Sequence, residues 1–152
     1  MTPSPFDTPY RGGLVGNEHH FALTVYFEDT DTAQIVYYAN YLKFLDRART
    51  DMLEAVGISH AAVHREGRGV YAVAAVDIRY LSSARAGDHL LVLTRLEQVR
   101  AASLLIHQRV MRGPETLAEA RVTAAFITPQ GRPQRQPREW IEKFKAMIGR
   151  EE

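Results

Sequence analysis

Cysteine is absent from this chain. Disulfides, thiol nucleophiles and Cys-ligated metals are therefore excluded, and a reducing cytoplasm is the compartment such a composition suits. Net charge is nearly absent too: 19 basic residues stand against 18 acidic ones, a balance of +1. No global field draws the chain to nucleic acid or to an anionic membrane. Long apolar runs are missing. Met1 to Gly16 hold three prolines and three glycines, which gives neither the apolar centre of a signal peptide nor a membrane span, and residues 1–18 are expected to form a loose tail. There is no Gly-x-Ser-x-Gly elbow around Ser59 or Ser103, no Gly-x-Gly-x-x-Gly and no phosphate-binding Lys motif, which argues against a serine hydrolase and a nucleotide cradle. Among the six histidines only His60 and His64 have helical ligand spacing. They lack a third partner, so no metal site is expected.

What is present fits one domain, residues 19–128, followed by an extension, residues 129–152. Phe21, Leu23, Val25 and Phe27 alternate with Ala22, Thr24 and Tyr26, as in a half-buried strand. The period then changes. Tyr38, Tyr41, Leu45, Ala48, Met52 and Ala55 recur at helical spacing, with Lys43, Arg47, Thr50, Asp51 and Glu54 on the opposite side, and Gly57 marks the stop. Val70 to Leu81, His89 to Val99, Ser103 to Arg112 and Thr116 to Thr128 read as long strands. Turns at Ala86-Gly87-Asp88 and Gly113-Pro114-Glu115 make them an antiparallel meander. Trp140, Ile141, Phe144, Met147 and Ile148 suggest a short closing helix. A strand, a long helix and a run of antiparallel strands give an α+β layout of about five strands, with one helix covering a curled sheet. Val70 to Leu81 is apolar on both faces, so a second subunit is expected to cover part of it.

The chemistry concentrates at Asp29-Thr30-Asp31, between strand and helix. A carboxylate placed beside the unpaired N–H groups of a helix start can act on a carbonyl that those groups polarise. Aspartate at such a junction also caps turns and helices, which is the simpler reading of Asp29.

The run Phe27-Glu28-Asp29-Thr30-Asp31-Thr32-Ala33-Gln34-Ile35-Val36-Tyr37-Tyr38-Ala39-Asn40-Tyr41, with Leu45-Asp46-Arg47-Ala48-Arg49-Thr50-Asp51-Met52-Leu53 along the helix, resembles the signature of the 4-hydroxybenzoyl-CoA thioesterase-like family. It is nearest to the YbgC-like, Tol-Pal-associated branch. The likeness runs from about Phe21 to Phe126. It implies a hot-dog fold and hydrolysis of an acyl-CoA, with coenzyme A as part of the substrate and no separate cofactor. It also implies that Asp31 is the nucleophile or general base, and that the backbone N–H of Tyr38 grips the thioester carbonyl. Two positions depart from the pattern: Gln34 stands where the family has Gly, and Asp46 where the branch has Glu.

Gln34, Tyr37, Asn40, Tyr41, Asp46 and Ser103 are candidates for substrate binding, the tyrosines for an acyl pocket. Arg85 and Arg100 are the candidates for coenzyme A, with Arg132, Arg135 and Arg138 as a looser cluster, since arginine suits bidentate phosphate contacts. Aromatic residues at helix spacing are also the stuff of ordinary cores, and loop arginines are often merely solvated. The expected assembly is a homo-oligomer, a dimer or dimer of dimers. Two other classes compete. A non-catalytic acyl-CoA sensor would share the fold with an inert site, and a hydratase or dehydratase would want a histidine on the central helix, where none lies between His20 and His60.

Overall fold

The computed structural model describes residues 2–150. Strands β1 (Gly13–Val15), β2 (Glu18–Thr24), β3 (Val70–Tyr80), β4 (His89–Val99), β5 (Ser103–Arg112) and β6 (Glu115–Ile127) form one sheet, with helices α1 (Asn40–Ala55), α2 (His60–Arg65) and α3 (Arg138–Ile148). The strand order is β1-β2-β4-β5-β6-β3 and every pairing is antiparallel. This is the hot-dog architecture with six strands rather than about five. The additional one is β1, which lies within the segment expected to be a loose tail.

The centre of the protein is α1 laid on the inner face of the sheet. Tyr41, Phe44, Leu45, Ala48, Met52 and Leu53 are buried, at the spacing expected of one helix face. They pack over Leu90, Val92 and Leu96 of β4, Leu104 and Ile106 of β5, and Val122 and Phe126 of β6. Each large apolar side chain so buried contributes about 1.5–3 kcal/mol. Helix α3 closes one end: Trp140, Phe144 and Met147 are buried, and the Trp140 ring meets Phe126 edge-on at 5.2 Å. No helix among the described residues is long and apolar enough to cross a membrane.

Several expectations are corrected. The strand expected at Phe21 to Phe27 ends at Thr24, because Val25 donates its N–H to Asp88 and Phe27–Asp29 curl into a 3-10 turn. The long helix starts at Asn40 rather than Tyr38. Asp51, read as solvent-facing, is buried, and Ala55, read as core, is exposed. His60 and His64 lie on a separate short helix, α2, capped by the Ser59 hydroxyl accepting the Ala62 N–H at 3.3 Å.

The largest correction concerns β3. Its turn to β4 is not a hairpin, because β3 lies at the far edge beside β6 while β4 lies beside β2. The Ala86-Gly87-Asp88 turn instead docks against Val25, exchanging the Val25 N–H to Asp88 O and Gly87 N–H to Val25 O bonds at 2.9 and 2.8 Å. Only β4, β5 and β6 form the meander.

Candidate active site

The loop between β2 and α1 folds back on itself through an antiparallel bridge between Thr30 and Val36 and is tied to the rest of the protein by a second bridge, Ile35 to Arg85. Val36, buried at 4% exposure, anchors it and donates to the Ala84 carbonyl at 2.8 Å. Asp29 is a capping residue. Its carboxylate accepts the Tyr26 N–H at 2.8 Å, and its carbonyl accepts the Tyr37 N–H and the Asn40 side-chain amide, both at 2.9 Å. Asn40 thereby serves as a tie across the loop, at the first residue of α1.

Asp31 is exposed. It opens a tight turn in which its carbonyl accepts the Gln34 N–H at 2.9 Å, and Oδ1 accepts the Ala33 N–H at 2.8 Å. Oδ2 has no hydrogen-bond donor among the described residues. Gln34 has φ +66°, the only non-glycine residue with positive φ among the described residues. Glycine is at home in that backbone region, so the departure at Gln34 falls on a position where the backbone itself favours glycine.

Tyr38 sits two residues before α1. Its N–H donates to no acceptor among the described residues, which leaves a backbone donor free at the head of the helix. Its carbonyl is held from the other side by the Tyr80 hydroxyl at 2.9 Å. Tyr80, on β3, went unnoticed in the sequence because the contact spans 42 positions and no local pattern marks it.

An aromatic cluster gathers at the head of α1. Tyr37 and Tyr38 have ring centres 4.8 Å apart, Tyr38 and Tyr80 6.1 Å, and Tyr41 and Tyr80 5.4 Å. The Tyr37 phenol is pushed above its ordinary value chiefly by the adjoining Tyr38 hydroxyl, with a smaller contribution from the nearby Asp31 carboxylate. Burial pushes up Tyr41 and Tyr80. All three stay protonated at neutral pH and present hydroxyls rather than phenolates. Tyr41 belongs to the core: it is 3% exposed and its hydroxyl accepts the Ala84 N–H at 3.3 Å.

Among the candidates for coenzyme A, Arg85 lies beside the Asp31 loop through the Ile35 bridge, and its guanidinium has no ion-pair partner among the described residues. Its backbone N–H helps hold Asp88 below the usual carboxylate range, together with Arg112 at 2.8 Å. Arg100 and Ser103 are not brought to this loop within one chain. They flank the β4–β5 turn, at the opposite end of the 11-residue strand β4 from Asp88, roughly 35 Å away at the usual rise per residue. Arg100 leans on Gln98 through two bonds of 3.2 and 2.9 Å, and the Ser103 carbonyl accepts the Gln136 amide. Asp46 is exposed on α1 and meets Arg49 at 3.3 Å.

A curled sheet wrapped on one helix, with a lone carboxylate and a free helix-head N–H at its mouth, defines the hot-dog class. The family model of the thioesterase-like superfamily matches residues 25–148. The acyl-CoA thioesterase YbgC of Haemophilus influenzae is 34% identical over 114 residues, covering 75% of this chain and 84% of that protein. The acyl-CoA thioester hydrolase YbgC of an Escherichia coli strain is 35% identical over 123 residues, covering 80% and 91%. The crystal structure of a probable thioesterase from Bartonella henselae superimposes with a TM-score of 0.76 at 29% identity, covering 79% of this chain and 99% of that one. The chain belongs to the thioesterase-like superfamily.

Proposed function

We propose that this protein hydrolyses an acyl-CoA to a free carboxylic acid and coenzyme A. The observation that carries the reading is the pairing, in one loop, of an exposed carboxylate at Asp31 with an unclaimed backbone N–H at Tyr38. The thioester oxygen accepts the Tyr38 N–H. Asp31 then attacks the carbonyl carbon or takes a proton from the water that does. A C–O bond forms, the C–S bond breaks and the departing thiolate is protonated; where Asp31 is the nucleophile, water then cleaves the Asp31–acyl anhydride, so that on either route one water is divided between the two products. The Tyr80 hydroxyl, by holding the Tyr38 carbonyl, helps to anchor the backbone that carries this N–H. No metal or further cofactor enters the scheme. A substrate built on coenzyme A and a chain without cysteine both suit the cytoplasm.

The same reading calls for two copies of the chain. Strand β3 is an 11-residue edge with Val73 at 51% and Val76 at 41% exposure, and an unpaired apolar edge of that length invites a partner strand. Pairing β3 with its twin about a two-fold axis runs the strands antiparallel. The end of the partner's sheet that bears Arg100 and Ser103 then lies alongside the Asp31 end of this one. Arg85 from one copy with Arg100 and Ser103 from the other would complete a cationic rim for the phosphates of coenzyme A.

The deciding experiment is thiol release from a panel of acyl-CoAs in EDTA, with Asp31→Asn and Asp29→Asn. Asp31→Asn should retain binding and lose about 10²- to 10⁴-fold in turnover, the range for loss of a general base. Asp29→Asn should stay within a few-fold per folded molecule, because Asn caps almost as well as Asp. A wild type that binds tightly without turnover would be a sensor. Activity lost on chelation and restored by zinc would make it a metalloenzyme.

A further inference from the structure

A second polar centre lies along α1, away from the Asp31 loop. Arg49 is mostly covered, with a side chain 12% exposed. It donates to the side-chain Oε1 of Gln108 at 3.0 Å. Gln108 is fully buried, and its amide nitrogen is committed to the Leu45 carbonyl at 3.1 Å and the Thr94 hydroxyl at 2.9 Å, so its oxygen is forced toward Arg49. Among the described residues the one carboxylate on the guanidinium is Asp46 at 3.3 Å, itself 71% exposed. Burial lowers the Arg49 pKa from its ordinary value, the mark of a cation short of compensation.

Facing it is His60. Its Nε2 accepts the Tyr71 backbone N–H at 2.9 Å, which places the proton on Nδ1 in the neutral ring, and Nδ1 has no acceptor among the described residues. Burial holds the ring below its ordinary pKa. Arg49 and His60 line a cavity of about 50 Å³ whose other walls include Leu53, Tyr71, Leu104 and Ile106. That is space for a few waters or one carboxylate among apolar neighbours. Through Asp46, Arg49 and Val73 the cavity opens into a groove past Leu42 and Val76, toward the head of α1.

We propose that this cavity receives the far end of the acyl chain and that Arg49 and His60 select chains ending in a carboxylate, so that monothioesters of medium-length dicarboxylic acids are preferred to simple fatty acyl-CoAs. The inference rests on the thioesterase reading and adds the substrate class to it. Helical side chains lean toward the N-terminus, so the Arg49 head lies level with Leu45 and Asp46. At about 1.5 Å per residue that is some 8 Å from the start of α1, which suits an acyl chain of about six to eight carbons. A carboxylate arriving there takes charge-assisted bonds from a guanidinium already oriented by Gln108. Asp46, being exposed, can turn out to solvent.

The test compares kcat/KM for adipoyl-CoA, hexanoyl-CoA and 6-hydroxyhexanoyl-CoA by thiol release. Adipoyl-CoA should lead hexanoyl-CoA by about tenfold or more, the worth of one buried charge-assisted bond. In Arg49→Met the ratio should fall to near one, and being a ratio it is insensitive to a partial loss of folded enzyme. In Asp46→Asn, an exposed site that leaves the fold intact, the ratio should rise as the competing carboxylate disappears. Equal rates for adipoyl- and hexanoyl-CoA, or a ratio that neither variant moves, would overturn the proposal, and a preference for the hydroxy chain would overturn the carboxylate. Turnover of none of the three, nor of any other acyl-CoA, removes the thioesterase reading instead. In that event the dissociation constants of adipoyl- and hexanoyl-CoA still decide whether the cavity reads the carboxylate, equal values refuting it.

Discussion

Gln34 occupies a backbone state that costs an L-residue about 1 kcal/mol or more, because Cβ crowds the following carbonyl. The turn keeps φ +66° there because Asp31 must both accept the Gln34 N–H and aim its carboxylate outward. Gln34→Gly removes the crowding and gives back part of the gain as extra freedom of the unfolded chain. The net effect should be a gain of up to about 1 kcal/mol, or some 2–4 °C in Tm for a chain of this size. Calorimetry of the two proteins checks it, and a lower Tm for the glycine variant would show that the Gln34 side chain is making a contact that outweighs its strain. Local rules made the division of labour between Asp29 and Asp31 half legible. Capping is a three-residue pattern and could be read for Asp29. The unclaimed N–H of Tyr38 and its carbonyl's bond to Tyr80 depend on a strand four tens of residues away, and no local rule contains them.

Among the elements, β1 shows how a short strand is held where its own length would not suffice. Asp51 on α1 accepts the Gly12 N–H at 2.9 Å and the His19 Nε2–H at 2.8 Å, with Arg11 at 3.8 Å. Gly12 has to be small: a Cβ there would lie 2.1 Å from the His20 carbonyl oxygen. The helical period does contain Asp51, three residues beyond the buried Ala48, but its charge made it read as solvent-facing. The partner that makes burial tolerable, His19, lies 32 residues away. The pair has a pH signature. Burial lowers the His19 pKa more than Asp51 raises it, and burial lowers His60 as well. The unfolded chain therefore takes up these protons near pH 6.5 and the native protein only at lower pH. Stability should be level above about pH 6.5 and fall below it, with a slope of up to ~1.4 kcal/mol per pH unit for each histidine. The carboxylates held low, Asp88, Glu115 and Glu119, act in the same direction only below about pH 4.5, outside this window. Urea denaturation at pH 5.0 to 7.5 measures the slope, and His19→Gln should reduce it by about half. A flat profile in the wild type would mean that neither ring is held neutral by the fold.

For the whole molecule, the decisive fact is that β3 ended up on an edge. Its twofold apolar pattern was legible and raised the expectation of cover on both faces, but its place in the sheet was not. The turn at Ala86-Gly87-Asp88 looks like a hairpin in sequence, yet its bonds go to Val25, and the choice of neighbour for β3 is a global one made by β6 across a 10-pair ladder. The consequence is an exposed strip of Val73, Val76, Tyr80 and Leu81, between 41% and 60% exposed, continuous with the groove beside α1. A free edge of this kind is an aggregation hazard unless it is paired, and a twin β3 both pairs it and roofs the groove that the acyl chain would occupy. Light scattering at micromolar concentration should therefore give the mass of a dimer or tetramer. Val76→Lys puts a charge on the shared strip without touching the Asp31 loop, so it should yield a folded monomer whose thioesterase activity drops at least tenfold, both because the partner's rim is lost and because Val76 also lines the acyl groove. A wild type that runs as a clean monomer, or a monomeric Val76→Lys with full turnover, would confine the site to one chain and leave Arg100 and Ser103 outside it.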